Sequence, residues 1–334
     1  MSLLIMKPGL LSTIQDLGRS GTQKYGVIAS GAMDSFALRM ANLLVGNEEK
    51  EAGLEITMVG PDLTFDSPSL ISICGGDLSP MLDSIPLPLW RAVYAPKGSR
   101  LHFGQLKSGC RAYLAVAGGF DVPVQMNSRS TYLRAGIGGY QGRKLCAGDV
   151  VPTGIPTIRG KRIAGNLMRQ AGEGEGGIAV SRWFIAPELL PGYSNEPVVQ
   201  VIEGVEYGIF SRESQHAFLN EPFTVLPQSD RMGYRLSGSR LKLAEEKELI
   251  SSAVTFGTVQ VPAGGDPIVL MADRQTTGGY PKLAQVITAD LPLLAQVNLG
   301  GKLRFRLVSL REAQEKHLLR ELEINRLRSR LSQL

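Results

Sequence analysis

The chain has 334 residues, 43% of them hydrophobic and 20% charged, which is enough apolar content for about two packed domains and too much for a disordered chain. Its 36 basic and 31 acidic residues leave a net charge of +5 with no long Lys/Arg block before the C-terminal segment. That balance argues against nucleic acid as a partner and fits small anionic substrates. Cys74, Cys110 and Cys146 form no C-x-x-C pair and read as reduced thiols. Residues 1–9 run directly into a strand and turn with no leader pattern, and no apolar run approaches the roughly 18 residues that span a bilayer. A soluble, cytoplasmic protein is expected.

In chain order, a strand over Leu3–Met6 stops at Pro8-Gly9. Ser30, followed by apolar residues at helical spacing from Phe36 to Leu44 and by Gly46-Asn47, predicts a capped helix. Glu55–Phe65 reads as a hairpin turning at Val59-Gly60-Pro61-Asp62. Strands over Leu70–Cys74, Trp90–Ala95, Arg100–Phe103 and Cys110–Ala117 follow, and their regular spacing suggests a closed or nearly closed β structure.

From Thr153 to Gly177 the pattern dissolves into Gly, Pro and basic residues, which reads as a linker. A second set of strands is expected over Val198–Ile202, Phe223–Leu226, Val254–Val261, Ile268–Ala272, Ala284–Ile287 and Leu303–Val308, with a short helix over Arg212–Leu219. The tail from Leu310 keeps an approximate helical period and reads as a helix that packs on the chain or docks a partner.

The familiar catalytic signatures are missing. Gly172, Gly174 and Gly177 satisfy G-x-G-x-x-G, but glutamates separate them and a strand-like run follows, so a loop is expected in place of a dinucleotide site. There is no P-loop, no H-E-x-x-H, no Cys/His metal spacing and no G-x-S-x-G. His102, His216 and His317 stand apart from one another, and Met6-Lys7 precedes Pro8, unlike a biotin-acceptor sequence.

What remains are polar clusters at strand ends. The apolar run Ile268–Ala272 is flanked by Gly264-Gly265 and Gly278-Gly279, with Asp273, Arg274, Gln275, Thr276 and Thr277 before Tyr280. Gln15, Asp16 and Arg19 follow the first turn, Ser128-Arg129-Ser130-Thr131 follows Gly118-Gly119, and Asp230, Arg231 and Arg235 follow the Phe223 strand. Arginine forks suit carboxylate or phosphate, and an adjacent carboxylate orients the fork or moves a proton. Solvated ion pairs and turn-stabilising aspartates are the bland alternative for each cluster.

Taken in order, residues 8–19, Ser30-Gly31-Ala32-Met33-Asp34, residues 41–47, Ala115-Val116-Ala117-Gly118-Gly119 with Ser128–Thr131, Ser229-Asp230-Arg231-Met232-Gly233 and the segment Thr258–Tyr280 resemble the allophanate-hydrolase-subunit-2 family. The resemblance runs from Leu3 to Phe305, and within the family it is closest to the C-subunit (KipA-type) branch of bacterial 5-oxoprolinases. It implies a mainly β (α+β) chain with two cyclophilin-like β-barrel domains and a C-terminal helix. The expected division is a first barrel over 1–155, a linker over 156–177, a second barrel over 178–309 and a helix over 310–334.

The resemblance also implies ATP-dependent opening of 5-oxoproline to glutamate, with ATP and Mg²⁺, by a complex with 5-oxoprolinase subunits B (KipI-type) and A. Under it, Asp230, Arg231, Asp273 and Gln275 are the catalytic candidates. Gln15, Asp16, Arg19, Ser128, Arg129, Arg235, Gly264, Gly265, Arg274, Thr276, Thr277, Gly278, Gly279 and Tyr280 are the substrate- or phosphate-binding candidates, and no metal ligand is assigned. Two other readings stay open: a regulatory protein that antagonises a kinase inhibitor, and a biotin-dependent carboxyltransferase subunit of the urea-amidolyase type. The latter would need a biotinylated partner, because no biotin carboxylase or carrier domain is recognised in the chain.

Overall fold

A computed structural model describes residues 1–171, 177–245 and 247–333. The chain divides into two compact units: one holds Met1–Ser20, Ser30–Leu190 and the residues from Asn325 on, the other Gly21–Ala29 and Pro191–Ile324. The fold is mainly β with a long C-terminal helix. The glycines at 172 and 174 lie outside the described residues.

In the first unit, two six-stranded sheets carry the core. One runs, in spatial order, Val150–Pro152, Ser2–Lys7, Asp62–Phe65, Arg100–Phe103, Pro80–Leu82, Ile85–Pro86. The other runs Ala179–Val180, Ala92–Ala95, Ser69–Asp77, Ser108–Val116, Gly53–Thr57, Leu11–Gln15. Period-two burial is plain in the first strand, where Leu3 and Ile5 are in the core while Leu4 and Met6 face out.

The expected hairpin over Glu55–Phe65 is not one. Its two strands lie in different sheets: Gly53–Thr57 pairs with Leu11–Gln15 and Ser108–Val116, and Asp62–Phe65 with Ser2–Lys7 and Arg100–Phe103. The turn between them is a crossing point that holds the Gly9 turn, with Leu10 N–H donating to the Val59 carbonyl at 3.0 Å.

Helix α1 spans Ser35–Leu44 and is capped by Asp34, whose side chain accepts from the Ala37 N–H. The segment expected as a linker contains α2, Ile158–Ala171. Ile163 and Leu167, one turn apart, bury its inner face, and buried Gly160 lets its backbone approach α1's C-terminal turn at Gly46. Two glycines and scattered basic residues obscured this short apolar stripe in the sequence.

In the second unit, seven strands close into a barrel: Val198–Glu203, Lys282–Val286, Thr258–Gln260, Ile268–Leu270, Gly233–Ser237, Phe223–Val225, Lys302–Leu307. Closure comes from a parallel pairing of the first with the last, Val199 opposite Phe305. Helix α3, Arg212–Asn220, begins at the Ser211 cap and sends Phe218 against Phe305, ring centroids 4.4 Å apart, with Phe223 beside them. The short α4 follows at Leu291–Ala295. Helix α5, Leu310–Gln333, opens with a reciprocal cap in which Ser309 N–H donates to Glu312 and Glu312 N–H to the Ser309 hydroxyl. Ile324 on α5 is buried, while Leu318, Leu319 and Leu322 are exposed.

Candidate functional site

The predicted site residues fall into two sets, one in each unit. In the first unit, the strand Leu11–Gln15 delivers Asp16 to a polar cluster. The Asp16 carboxylate accepts from the Ser128 hydroxyl at 2.7 Å, the Gly18 N–H at 2.8 Å, the Arg129 N–H at 2.5 Å and the Ser130 hydroxyl. In return, Asp16 N–H donates to Ser130 Oγ at 2.9 Å.

Buried Arg19 donates to the Ser130 carbonyl, and Gln15 Nε2 donates to the Thr131 carbonyl at 3.2 Å. Gln15 Oε1 is buried with no donor among the described residues. The Arg129 side chain reaches the Val122 carbonyl and lies 3.6 Å from Glu51. Gly138 backs the cluster: at φ +69° a Cβ there would stand 2.0 Å from the Ser130 carbonyl oxygen. Asp16 is therefore a hub already surrounded by donors. It ties the segment 16–18 to the distant segment 128–130.

In the second unit, Arg231 and Asp273 form a buried two-pronged ion pair, Nε and Nη2 each 2.9 Å from a separate carboxylate oxygen. Their backbones are also joined, Asp273 N–H donating to the Arg231 carbonyl at 2.7 Å. Asp230 points outward and stabilises its own turn, accepting from the Met232 and Gly233 N–H groups at 2.8 and 3.3 Å. Arg235 and Gln275 are exposed.

Arg274 is half-buried against the Phe256 ring at 5.9 Å, and its Nε has no acceptor among the described residues. Burial lowers its pKa and neighbouring Asp273 opposes that shift. Of the three arginines singled out in this unit, Arg274 is the one with a buried donor unmet among the described residues.

The Gly264-Gly265 turn lies at the opposite end of the strand Ile268–Leu270 from Asp273. Gly265 N–H is used within the turn, on the Pro262 carbonyl, and its own carbonyl accepts from Leu241 N–H. Gly265 therefore offers no backbone donor to an anion. Thr277 and Gly278 form a two-stranded ribbon with Ser252 and Ala253, and Tyr280 is 50% exposed.

Two buried polar residues beside that ribbon escaped the sequence reading: Gln260 and Lys282, opposite one another in the barrel. The visible hint was a lysine opening a strand directly after Gly-Gly-Tyr-Pro. Among the described residues, no three His, Cys, Asp or Glu side chains group as a metal site. A cavity of about 160 Å³ opens in the first unit between α2 and Ser181–Trp183, lined in part by Ile163, Leu167 and Trp183, and none of the predicted residues borders it.

Residues 25–307 match the carboxyltransferase domain, subdomain A and B. The chain belongs to this carboxyltransferase-domain family. Among relatives in it, the 5-oxoprolinase C subunit of Haemophilus influenzae is 40% identical over 317 residues, covering 95% of this chain and 94% of that protein. The 5-oxoprolinase C subunit of Escherichia coli K12 is 41% identical over 313 residues, covering 93% of each. Among solved structures, the urea carboxylase of Kluyveromyces lactis superposes with a TM-score of 0.86 at 29% identity, over 98% of this chain and 29% of that one. This carboxyltransferase-domain chain has no helix, among its described residues, long and apolar enough to cross a membrane.

Proposed function

We propose that this chain is the C subunit of an ATP-dependent 5-oxoprolinase that opens 5-oxo-L-proline to L-glutamate together with subunits A and B. The observation that carries the reading is the near-full-length match, at 40% identity, to a protein named as the C subunit of 5-oxoprolinase. The chemistry is consistent with it. An unstrained lactam is a poor electrophile, so its opening calls for activation of the ring amide and for cations that hold the carboxylate. Arg274, with its unmet Nε donor and apolar backing, suits the negative charge that activation develops on the ring-amide oxygen.

Mg²⁺ does not fit Asp16 or Asp273. Both Asp273 oxygens accept from Arg231, and Asp16 is surrounded by four donors. No step through the nucleotide is assigned to these residues. Arg231 and Asp273 act instead as a rigid frame that sets the direction of Arg274.

The test is co-expression with subunits A and B, followed by measurement of ATP-dependent glutamate formation from 5-oxo-L-proline. Absence of turnover from the purified assembly would refute the reading. A second reading, a biotin-dependent carboxyltransferase subunit, has support of its own in the TM-score of 0.86 to a urea carboxylase. Inhibition of the same assay by avidin would favour it.

A further inference from the structure

The strand Lys282–Val286 contains a defect with a consequence. It pairs with Thr258–Gln260 in the order Thr258 opposite Gln285, Val259 opposite Ala284, then Gln260 opposite Lys282. Leu283 is the extra residue of a β-bulge. Without the bulge, Gln260 would face Leu283, and Lys282 would belong to the other face. The bulge swings Lys282 onto the face that Gln260 occupies.

The side chains placed together in this way are unusual for a barrel wall. Lys282 is 6% exposed and Gln260 2% exposed. The Lys282 ammonium has no hydrogen-bond acceptor among the described residues, and the nearby Glu206 carboxylate stands 3.9 Å away, beyond hydrogen-bond reach. Glu206 is instead engaged with the Lys282 backbone, accepting its N–H at 3.0 Å. Three ammonium donors held in a buried place without acceptors are unfavourable unless something else supplies the oxygens.

Gln260 is covered by the turn that begins at Gly278. Its Nε2 donates to the Tyr280 carbonyl at 3.3 Å, and a Cβ on Gly278 would fall 2.5 Å from that same nitrogen. The turn carries exposed Tyr280, so the cover lies at the barrel surface and not in its core.

We infer that Lys282, placed by the Leu283 bulge beside Gln260, is the group that binds the carboxylate of a small cyclic-amide substrate, with the Gly278–Pro281 turn closing over it. This inference rests on the lactam-opening reading above. An ammonium supplies the charge for the carboxylate, and the Gln260 amide supplies a neutral donor and acceptor for the adjacent ring amide.

The test uses the co-expressed complex with wild-type chain, Lys282→Met and Lys282→Arg, assayed with 5-oxo-L-proline and with its uncharged carboxamide. Lys282→Met should raise KM for the acid by about tenfold or more, the loss of one charge-assisted hydrogen bond, and abolish the preference for acid over carboxamide. Lys282→Arg should restore part of that preference. An unchanged acid-to-carboxamide ratio in Lys282→Met would overturn the assignment.

Thermal melting separates this role from a structural ion pair. A binding lysine replaced by methionine leaves the fold equally or more stable, whereas a stabilising Lys282–Glu206 pair predicts a lower Tm. If the wild-type complex turns over no lactam, the functional reading fails and the lysine is then tested by calorimetric titration of the wild-type and Lys282→Met proteins with 5-oxo-L-proline. Binding confined to the wild type supports the site. Equal binding by both, or by neither, overturns it.

Discussion

Arg231 holds Asp273 through two hydrogen bonds of 2.9 Å, from Nε and Nη2 to separate carboxylate oxygens, with both side chains only 6% exposed. A pair buried this deeply couples the turn after the strand Phe223–Val225 to the polar end of Ile268–Leu270. Removing one partner strands the other charge, so Arg231→Ala and Asp273→Ala should each lose about 3–5 kcal/mol in urea unfolding. The double change Arg231→Ala/Asp273→Ala should lose clearly less than the sum of the two. Strict additivity would contradict the coupling.

Asp16 holds the first unit's cluster in a similar way. Its carboxylate meets two hydroxyls and two backbone N–H groups. Asp16→Ala leaves buried donors unmet and should destabilise by about 3 kcal/mol, while Asp16→Asn, which keeps one acceptor oxygen, should fall between it and the wild type. Chemical denaturation of the three proteins checks the order.

The glycine behind that cluster makes a sharper comparison. Gly138 and Gly136 share a left-handed backbone, φ +69° and +64°, but a Cβ at 138 would meet the Ser130 carbonyl at 2.0 Å, whereas one at 136 meets nothing within 4 Å. Gly136→Ala should lose about 1 kcal/mol, the conformational term alone. Gly138→Ala should lose more than about 2 kcal/mol, because the Ser130 backbone must move. Equal losses would show that the close approach is relaxed at little energetic expense.

Asp149 provides a pH signature. Arg143 donates to both its oxygens, at 2.7 and 2.8 Å, and these hydrogen bonds hold its pKa below the ordinary carboxylate range. A carboxyl harder to protonate when folded stabilises the fold above its unfolded pKa of about 4, and that contribution is lost as pH falls through the lower folded value. The Arg143 side chain is 37% exposed, which limits the effect to about 1 kcal/mol. The Tm gap between wild type and Asp149→Asn should stay constant between about pH 7 and pH 5 and close toward about pH 3. A gap that widened in acid would reverse the sign of the argument.

The places where sequence and structure diverge have physical causes. Strands whose apolar pattern stands alone, such as Ser2–Lys7 and Arg100–Phe103, were legible because alternation marks them locally. Helix α2 was hidden because its buried stripe rests on Ile163 and Leu167, with glycines and basic residues scattered around them. The Glu55–Phe65 turn looked like a hairpin because turn residues report a reversal of the chain and not the partner on either side. The polar residues at strand ends were visible as a group, yet Asp230 serves its own turn while Asp273 is bound to Arg231, and nothing in the residue order separates the two.

By itself, the sequence determined a mainly β chain with a terminal helix, the segments that carry its polar clusters, and the family to which those segments belong. These follow from local pattern and from motifs kept in order along the chain. Tertiary structure alone decided that Gly53–Thr57 and Asp62–Phe65 enter different sheets, that the second unit closes through a parallel pairing, and that Lys282 shares a face with Gln260. Each depends on register between strands far apart in the chain, and a one-residue bulge at Leu283 is enough to move a lysine from one face of a barrel to the other.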